Sequence, residues 1–237
     1  MKRLEIKDLF VSYKKNKKEK VDVIKGLSLD VNDNEIIVIL GPSGCGKTTL
    51  LKSITGIVSI DGGSIMISGL DSSMLPIKNR NIAYVSQSFF TYDFMSVYNN
   101  IALPLKAMKI SIDEINRRVY DVSKKLGIDF LLSRKPRVLS GGQRQKVALA
   151  RALVKYPDLY LFDEPFSNLD PLVRNDLKEE IKRIKKEYNS AMIFVTHDVN
   201  DAISLADRVF IMENGVFVKE VTVDELKKNV KSYVYEE

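Results

Sequence analysis

The sequence predicts an α/β domain with a parallel or mixed β-sheet and an inserted helical segment. Five short runs of apolar, mostly β-branched residues each end abruptly in small or polar residues, as strands buried on both faces of a sheet do. Amphipathic helical patterns intervene between runs. From about 88 to 155 the chain holds aromatic and helical sequence and no convincing buried strand, which predicts the insertion.

The predicted strands are the runs 36–40, 82–85, 159–162, 192–195 and 209–212. Two helical stripes are marked by apolar residues three or four positions apart: Ile115, Val119, Val122 and Leu126 in the first, and Leu177, Ile181, Ile184 and Tyr188 in the second. Strands that alternate with helices form sheets whose ligands bind beyond the carboxyl ends of the strands. His197, the only histidine, follows the fourth run and is therefore expected at that edge.

Composition limits the classes of protein that the chain can represent. With 45% apolar and 29% charged residues among 237, it is predicted to be soluble and globular, and no run approaches the roughly 20 apolar residues of a membrane span. The N-terminus lacks the pattern of a signal peptide, so we expect a cytoplasmic protein. The single cysteine, Cys45, excludes an intrachain disulfide. Much of the net charge of +6 lies in KKNKKEK (14–20), interpreted as a solvated hairpin loop.

The stretch GPSGCGKTT follows the first run and precedes a helical pattern, and it fits the phosphate-binding motif G-x-x-x-x-G-K-[ST]. Glycines there let backbone amides turn toward a polyphosphate, Lys47 reaches the β- and γ-phosphates, and Thr48 can ligate Mg²⁺. The motif predicts a P-loop nucleoside triphosphatase with a RecA-like core. The expected ATP-binding residues in it are Gly41, Pro42, Ser43, Gly44, Cys45, Gly46, Lys47, Thr48 and Thr49.

The run LYLFDE supplies the acidic partner of this motif. Asp163 ends the strand, where its carboxylate would face Mg²⁺, and Glu164 follows where it could polarise an attacking water. By itself the pair would be interpreted as two surface acids. The upstream phosphate-binding motif reverses that interpretation.

The stretch VLSGGQRQKVALARAL (138–153) predicts a second anion site. Ser140, Gly141 and Gly142 precede a helix, so they can offer a hydroxyl and free amides to a phosphate. One chain would then carry two phosphate-binding surfaces.

With these motifs the sequence resembles the ATP-binding cassette family along nearly its whole length. The family's motifs occur in the family's order: Walker A at 41–48, Gln87 of the Q-loop, the signature Leu139, Ser140, Gly141, Gly142 and Gln143, Walker B at 159–163, Glu164, the D-loop 167–170 with Ser167 and Asp170, and the switch His197. Tyr13 falls where the family has a ring that stacks on adenine.

The resemblance implies a mechanism. Two cassettes, identical or different, would pair head to tail, with each ATP between one subunit's Walker A and the other's signature. Thr48, Gln87 and Asp163 would hold Mg²⁺, while Glu164, His197 and Gln87 would serve catalysis, His197 at the γ-phosphate. The chain 1–237 would be one nucleotide-binding domain, with a core of about 1–87 and 156–237 and a helical subdomain of about 88–155.

Within the family, the stretches 76–106, 134–153 and 163–174 look most like ATPase subunits of bacterial or archaeal carbohydrate importers. Such a subunit would sit on the inner face of the membrane, bound to permease subunits and indirectly to a solute-binding protein, without direct contact to nucleic acid. Two departures from that group are noted: the sequence ends at KKNVKSYVYEE, where those subunits usually continue into a regulatory barrel, and YDFM stands where they often have a Pro-His pair. The coupling groove would lie near Gln87 and the aromatic residues Phe89, Phe90, Tyr92 and Phe94.

Other interpretations stay open at this point. The chain could be a soluble cassette ATPase that acts on nucleic acid or ribosomes, or a P-loop kinase, which would leave LSGGQ without a role. His197 could be a satisfied polar residue, Tyr13 and the aromatic stretch after Gln87 could pack in a core, and Cys45 is expected to be structural and not redox-sensing.

Overall fold

A computed structural model describes residues 1–14, 19–167 and 169–233. The strands are β1 (Lys2–Lys14), β2 (Lys20–Asn32), β3 (Ile36–Leu40), β4 (Gly62–Ile67), β5 (Leu70–Asp71), β6 (Ile82–Val85), β7 (Leu159–Asp163), β8 (Ala191–Thr196), β9 (Arg208–Glu213) and β10 (Val216–Val221). The α-helices are α1 (Lys47–Thr55), α2 (Val97–Ala107), α3 (Ile112–Lys125), α4 (Gly141–Leu153), α5 (Pro171–Tyr188), α6 (Val199–Leu205) and α7 (Val223–Lys228).

The larger sheet has the strand order β10-β9-β3-β8-β7-β6. The five predicted runs form five of these strands, and all four pairings among them are parallel. Only β10 runs antiparallel, against β9 at the edge. The prediction of a parallel or mixed sheet is confirmed.

This sheet is covered on both faces, which explains why its strands are apolar without alternation. Ile37 and Ile39 of β3 belong to a core that contains residues of α1 and of the N-terminal strands. Ile36, Val38 and Leu40 face the other way, into a core built with helices α2 to α6. The predicted stripes are confirmed, since the side chains of α3 and α5 that carry them are buried or packed against this second core.

A second sheet of order β2-β1-β4-β5 was not predicted. In β1 the residues Leu4 and Ile6 are buried, and then the buried positions shift to Leu9 and Val11. The pairing with β2 shifts register between Ile6 and Leu9, and this β-bulge accounts for the change in which residues of β1 are buried. Lys14 pairs with Lys20, as a hairpin requires, but residues 15–18 of the predicted loop lie outside the described residues.

The segment between β6 and β7 contains α2, α3 and α4 and no strand. Helix α4 packs against α2 and against the edge strand β6. This arrangement agrees with an inserted helical segment, whose boundaries near 88 and 155 stay a prediction. Within the described residues, every helix is too short or too polar to cross a lipid bilayer.

Candidate nucleotide-binding site

The carboxyl ends of four parallel strands bring the predicted residues together. In the register of the sheet Leu40 lies beside Thr196, and Asp163 lies beside Val195. The residues that follow these ends surround a cavity of about 390 Å³. It is lined by Val23, Ser43, Gly44, Gly46, Lys47, Thr48, Thr49, Gln87, Asp163, Glu164 and His197.

The phosphate-binding loop folds as its glycines allow. Gly44 has φ +80° and Gly46 has φ +113°, conformations that side chains rarely permit, and α1 begins at the next residue. At Gly41 a Cβ atom would lie 2.2 Å from the Met212 carbonyl oxygen, so only glycine fits. Lys47 is almost buried, and its Nζ donates to the carbonyl oxygens of Gly41 at 2.7 Å and Pro42 at 2.9 Å. The loop and its lysine therefore form one compact unit.

Cys45 belongs to the core that contains α1 and the N-terminal strands, and it does not line the cavity. Its side chain is buried, and burial raises the pKa of the thiol. A protonated, enclosed thiol is inert toward oxidants. This agrees with a structural Cys45.

Asp163 joins the loop to the sheet. Thr48 Oγ1 donates to its Oδ1 at 2.9 Å, and the Tyr84 hydroxyl donates to its Oδ2 at 2.9 Å. Burial and the neighbouring carboxylate raise the pKa of Tyr84, so its hydroxyl stays a donor. Sequence reasoning placed Tyr84 only within a strand and missed this contact.

Glu164 and His197 form a contact pair at the end of the sheet. His197 Nδ1 lies 3.0 Å from Glu164 Oε1, and the Glu164 amide donates to the Val195 carbonyl oxygen at 3.0 Å. Glu164 has φ +48°, which is uncommon for a residue other than glycine and is often found at functional sites. The unusual backbone lies where the chain turns directly after β7.

Charged residues behind His197 hold its loop. Arg174 Nη2 contacts Asp198 Oδ2 at 2.5 Å and Asp201 Oδ2 at 2.6 Å, while Lys178 Nζ lies 2.7 Å from Asp201 Oδ1. Lys178 and Asp201 are almost fully buried. Burial opposes ionisation of Asp198, but the Asn200 amide and Arg174 outweigh it and lower the pKa of that carboxyl. The sequence carried no signal for this ion-pair cluster beyond ordinary helix charges.

The other predicted site residues lie at the edge of this cavity or outside it. Gln87 is exposed and lines the cavity, and the hydroxyl of Tyr13, whose ring is 41% exposed, lies 3.4 Å from Thr49 Oγ1. Neither Tyr13 nor any residue of the described stretch 139–143 lines the cavity.

The signature and D-loop residues cap helices. Ser140 and Gln143 form reciprocal hydrogen bonds at the start of α4, and Gly141 and Gly142 form its first turn. Asp170 caps α5, and Ser167 Oγ donates to the Glu164 carbonyl oxygen at 3.1 Å. Residue 168 of the predicted D-loop lies outside the described residues.

The donor set of the cavity suits Mg²⁺. Hydroxyl and carboxylate oxygens of Thr48 and Asp163 are hard ligands, and Mg²⁺ is usually held by one or two carboxylates together with substrate phosphates. Among the described residues, no cluster of three or more His, Cys, Asp and Glu side chains could form a metal cage. The oxygen donors of Thr48 and Asp163 are of the kind that Mg²⁺ prefers.

Comparison with known proteins agrees with this geometry. A protein-family model described as "ABC transporter" matches residues 24–167, more than half of the chain. The chain belongs to the ABC transporter ATP-binding family. The mixed sheet and the phosphate-binding loop of this cassette are thus those of a P-loop nucleoside triphosphatase, as predicted.

Curated relatives of the cassette carry transport names. It is 47% identical over 88% of its length to the molybdate/tungstate import ATP-binding protein WtpC of Pyrococcus horikoshii. It is 41% identical over 89% to the sulfoquinovosyl glycerol transport ATP-binding protein SmoE of Agrobacterium fabrum, and 43% identical over 87% to the trehalose/maltose import ATP-binding protein MalK of Thermococcus litoralis. The cassette spans 61%, 59% and 57% of these relatives, respectively.

Solved structures show the same fold. A dimeric ATP-binding cassette in a post-hydrolysis state, bound to ADP and Pi, superimposes with a TM-score of 0.85 at 28% identity. The match covers 93% of this chain and 98% of that one. A second dimeric structure, of a bacterial ABC transporter cassette, matches with the same score.

Proposed function

We propose that this cassette is the ATP-hydrolysing subunit of an importer and that its ATP-driven dimerisation powers solute uptake through separate permease subunits. The observation that carries the proposal is the meeting of the Lys47 loop, Asp163, Glu164 and His197 around one cavity at the end of the sheet. These are the groups that phosphoryl transfer to water requires: a phosphate cradle, a metal ligand, a base and a polar group at the terminal phosphate.

Binding of the ATP phosphates is assigned to the phosphate-binding loop and the start of α1. Helix α1 begins at Lys47 without a side-chain cap, so the amides of its first turn would bind phosphate, and Lys47 adds a positive charge. Thr48 and Asp163, with Gln87, would hold Mg²⁺, which would supply positive charge next to the phosphates. Tyr13, at the outer margin, is assigned to the adenine ring.

Hydrolysis is assigned to Glu164 and His197. Glu164 Oε1 accepts a proton from the attacking water as general base. His197 Nδ1 lies 3.0 Å from that carboxylate and would orient it, while the ring would also contact the terminal phosphate. The neighbouring Asp198 is held by Arg174. Glu164 would thus accept the proton of the water, and His197 would fix the position of Glu164.

A second cassette is needed to use the signature. Ser140, Gly141 and Gly142 sit at a helix N-terminus, a place suited to phosphate, but they do not line the cavity that holds Lys47. A head-to-tail dimer would bring them to the partner's ATP. The dimeric form of the similar solved cassettes supports this arrangement.

Permease contact is assigned to a second cavity, of about 300 Å³, between β6 and the helices α2 and α4. Phe89, Phe90 and Tyr92 line it, Phe90 is 60% exposed, and Phe94 nearby is 72% exposed. Exposed aromatic clusters mark contact sites. This groove would place the cassette on the inner face of the membrane through its permease.

The choice of solute is assigned to other subunits of the importer. The relatives' names include a molybdate/tungstate importer as well as glycoside transporters, so carbohydrate is one of at least two classes for this cassette. Selectivity would lie in the permease and the solute-binding protein. The same names favour import over action on nucleic acid or ribosomes.

The decisive experiment mixes two inactive variants. Lys47→Ala and Ser140→Arg should each release no phosphate from ATP, and their mixture should regain activity, because one site of a mixed dimer keeps both residues. A mixture that forms heterodimers but releases no phosphate would show either that the head-to-tail pairing is wrong or that both sites must be intact for hydrolysis. A phosphorylated acceptor in place of free phosphate would instead support a kinase, and copurification with nucleic acid instead of a permease would support the soluble class.

A further inference from the structure

We propose that Tyr84 is a positioning residue that sets the Asp163 carboxylate for the metal ion bound with ATP, an inference that rests on the proposed function. Its hydroxyl donates to Asp163 Oδ2 at 2.9 Å. Thr48 Oγ1 donates to Oδ1, also at 2.9 Å. Each carboxylate oxygen therefore has a donor of its own, and the two donors come from different elements.

The register of the sheet brings Tyr84 to this point. Tyr84 lies beside Leu161 in the parallel pairing of β6 with β7. Asp163 is two residues further along β7 and so lies on the same face as Leu161. An aromatic side chain is long enough to reach such a diagonal neighbour on the next strand. A phenylalanine would fill the same space without supplying the donor.

The two hydrogen bonds on Asp163 are not equivalent. Thr48 Oγ1 is itself an expected metal ligand, so its bond to Oδ1 involves the same oxygen atoms that a metal ion needs. The Tyr84 bond uses Oδ2 and leaves those atoms free. Metal binding therefore does not compete with the hydrogen bond from Tyr84.

Burial makes this restraint matter. Asp163 is only 3% exposed, so water would poorly replace a lost donor at Oδ2. Without the hydroxyl the carboxylate can rotate, and ligands that are oriented poorly bind metal weakly. Loss of such an outer hydrogen bond typically lowers metal affinity or activity by about 10- to 100-fold.

The test compares Tyr84→Phe with Tyr160→Phe. Tyr160 is a buried tyrosine on the neighbouring strand β7, and its hydroxyl donates to the Leu153 carbonyl oxygen at 3.3 Å. Tyr160→Phe therefore controls for the loss of one buried tyrosine hydroxyl. Binding of Mn²⁺ with a non-hydrolysable ATP analogue is followed by electron paramagnetic resonance. Thermal unfolding is followed without metal, and phosphate release is followed against Mg²⁺ concentration.

Tyr84→Phe should raise the Mn²⁺ dissociation constant and the half-saturating Mg²⁺ concentration by about tenfold or more, and Tyr160→Phe by less than about twofold. Turnover at saturating Mg²⁺ should change little in Tyr84→Phe, whereas metal-free unfolding should occur at a lower temperature, because the buried Asp163 Oδ2 loses its donor. Tyr84→Met, which also lacks the hydroxyl, should weaken metal binding to the same degree.

An Mn²⁺ affinity of Tyr84→Phe equal to that of the wild type would overturn the proposal, and so would equal losses in both phenylalanine variants. A loss seen only in Tyr84→Met would assign the effect to packing. If the wild-type protein binds no Mn²⁺ with the nucleotide and releases no phosphate, the proposed function itself fails. A wild type that does both, beside an unchanged Tyr84→Phe, overturns the role of Tyr84 alone.

Discussion

The two cavities of this cassette differ in how their polar groups are paired. At the end of the sheet, Asp163 accepts two hydrogen bonds from side chains and Glu164 contacts His197. In the groove between β6 and α4, Arg151 and Lys155 donate to the carbonyl oxygens of Phe90 and Ile82. Arg151 Nη1 is buried without a hydrogen-bond partner in the described structure, and burial lowers the pKa of both cations.

The difference indicates what each cavity is prepared for. Side chains that already restrain one another are preorganised, as the chemistry of a small ligand requires. A groove with exposed rings offers apolar surface to which another protein can bind. We therefore expect substitutions in the first cavity to change turnover and substitutions in the second to change assembly.

The largest effect is expected from Glu164→Gln, which keeps the shape of the side chain and removes the base. Turnover should fall by about 10²- to 10⁴-fold while ATP still binds, and ATP should then favour the dimer. Phosphate release and size-exclusion chromatography with ATP measure both effects. Glu179→Gln, an exposed carboxyl on α5, is the control. Turnover near the wild-type rate would remove Glu164 from the mechanism.

His197→Ala should lower turnover by about 10²-fold, because Glu164 loses the group that holds it and small misplacements at a reacting centre have effects of that size. The ATP dissociation constant should stay close to that of the wild type, since the loop amides and Lys47 supply the binding. If His197 were a packing residue, ATP affinity and melting temperature would fall together and turnover per folded molecule would persist. One preparation measured for all three quantities decides between the two.

Lys178→Met tests whether the ion-pair cluster supports this cavity. Removal of one partner of a buried ion pair typically costs about 3–5 kcal/mol of unfolding free energy, because a buried charge stays behind. Asp201 keeps Arg174, which lies 2.6 Å away, so we expect the lower end of that range. Urea unfolding measures the loss, with Lys182→Met as control, since Lys182 is a half-buried lysine on the same helix that pairs with the exposed Glu179. Equal stability of the two variants would contradict a supporting role.

The smallest effect on chemistry is expected from Phe90→Ser in the groove. Its ring is 60% exposed, so the intrinsic ATPase rate and the stability should stay near those of the wild type. Binding to the permease should weaken by more than about 1 kcal/mol if the ring is an anchor. Phe130→Ser, whose ring is 66% exposed outside the groove, is the matched control. Equal permease binding by both variants would break the contrast between the two cavities.

Much of the fold and site could be predicted because the signals are local. A five-residue apolar run, a glycine pattern, or Asp163 and Glu164 directly after a strand can be recognised within a few positions, and parallel strands bring their carboxyl ends to one edge. The N-terminal sheet was missed because the bulge near Lys7 and Asp8 shifts the apolar alternation of β1.

Five strands of the larger sheet, the phosphate-binding loop and the positions of Lys47, Asp163, Glu164 and His197 along the chain could be predicted from local patterns of residues. The folded structure was needed to show that Tyr84 reaches Asp163, that Lys178 pairs with Asp201, and that the signature helix begins away from the cavity. These contacts depend on strand order and register, which are set by packing between segments far apart in the chain. No local pattern of residues encodes such a distance, so it appears only when the sheet has formed.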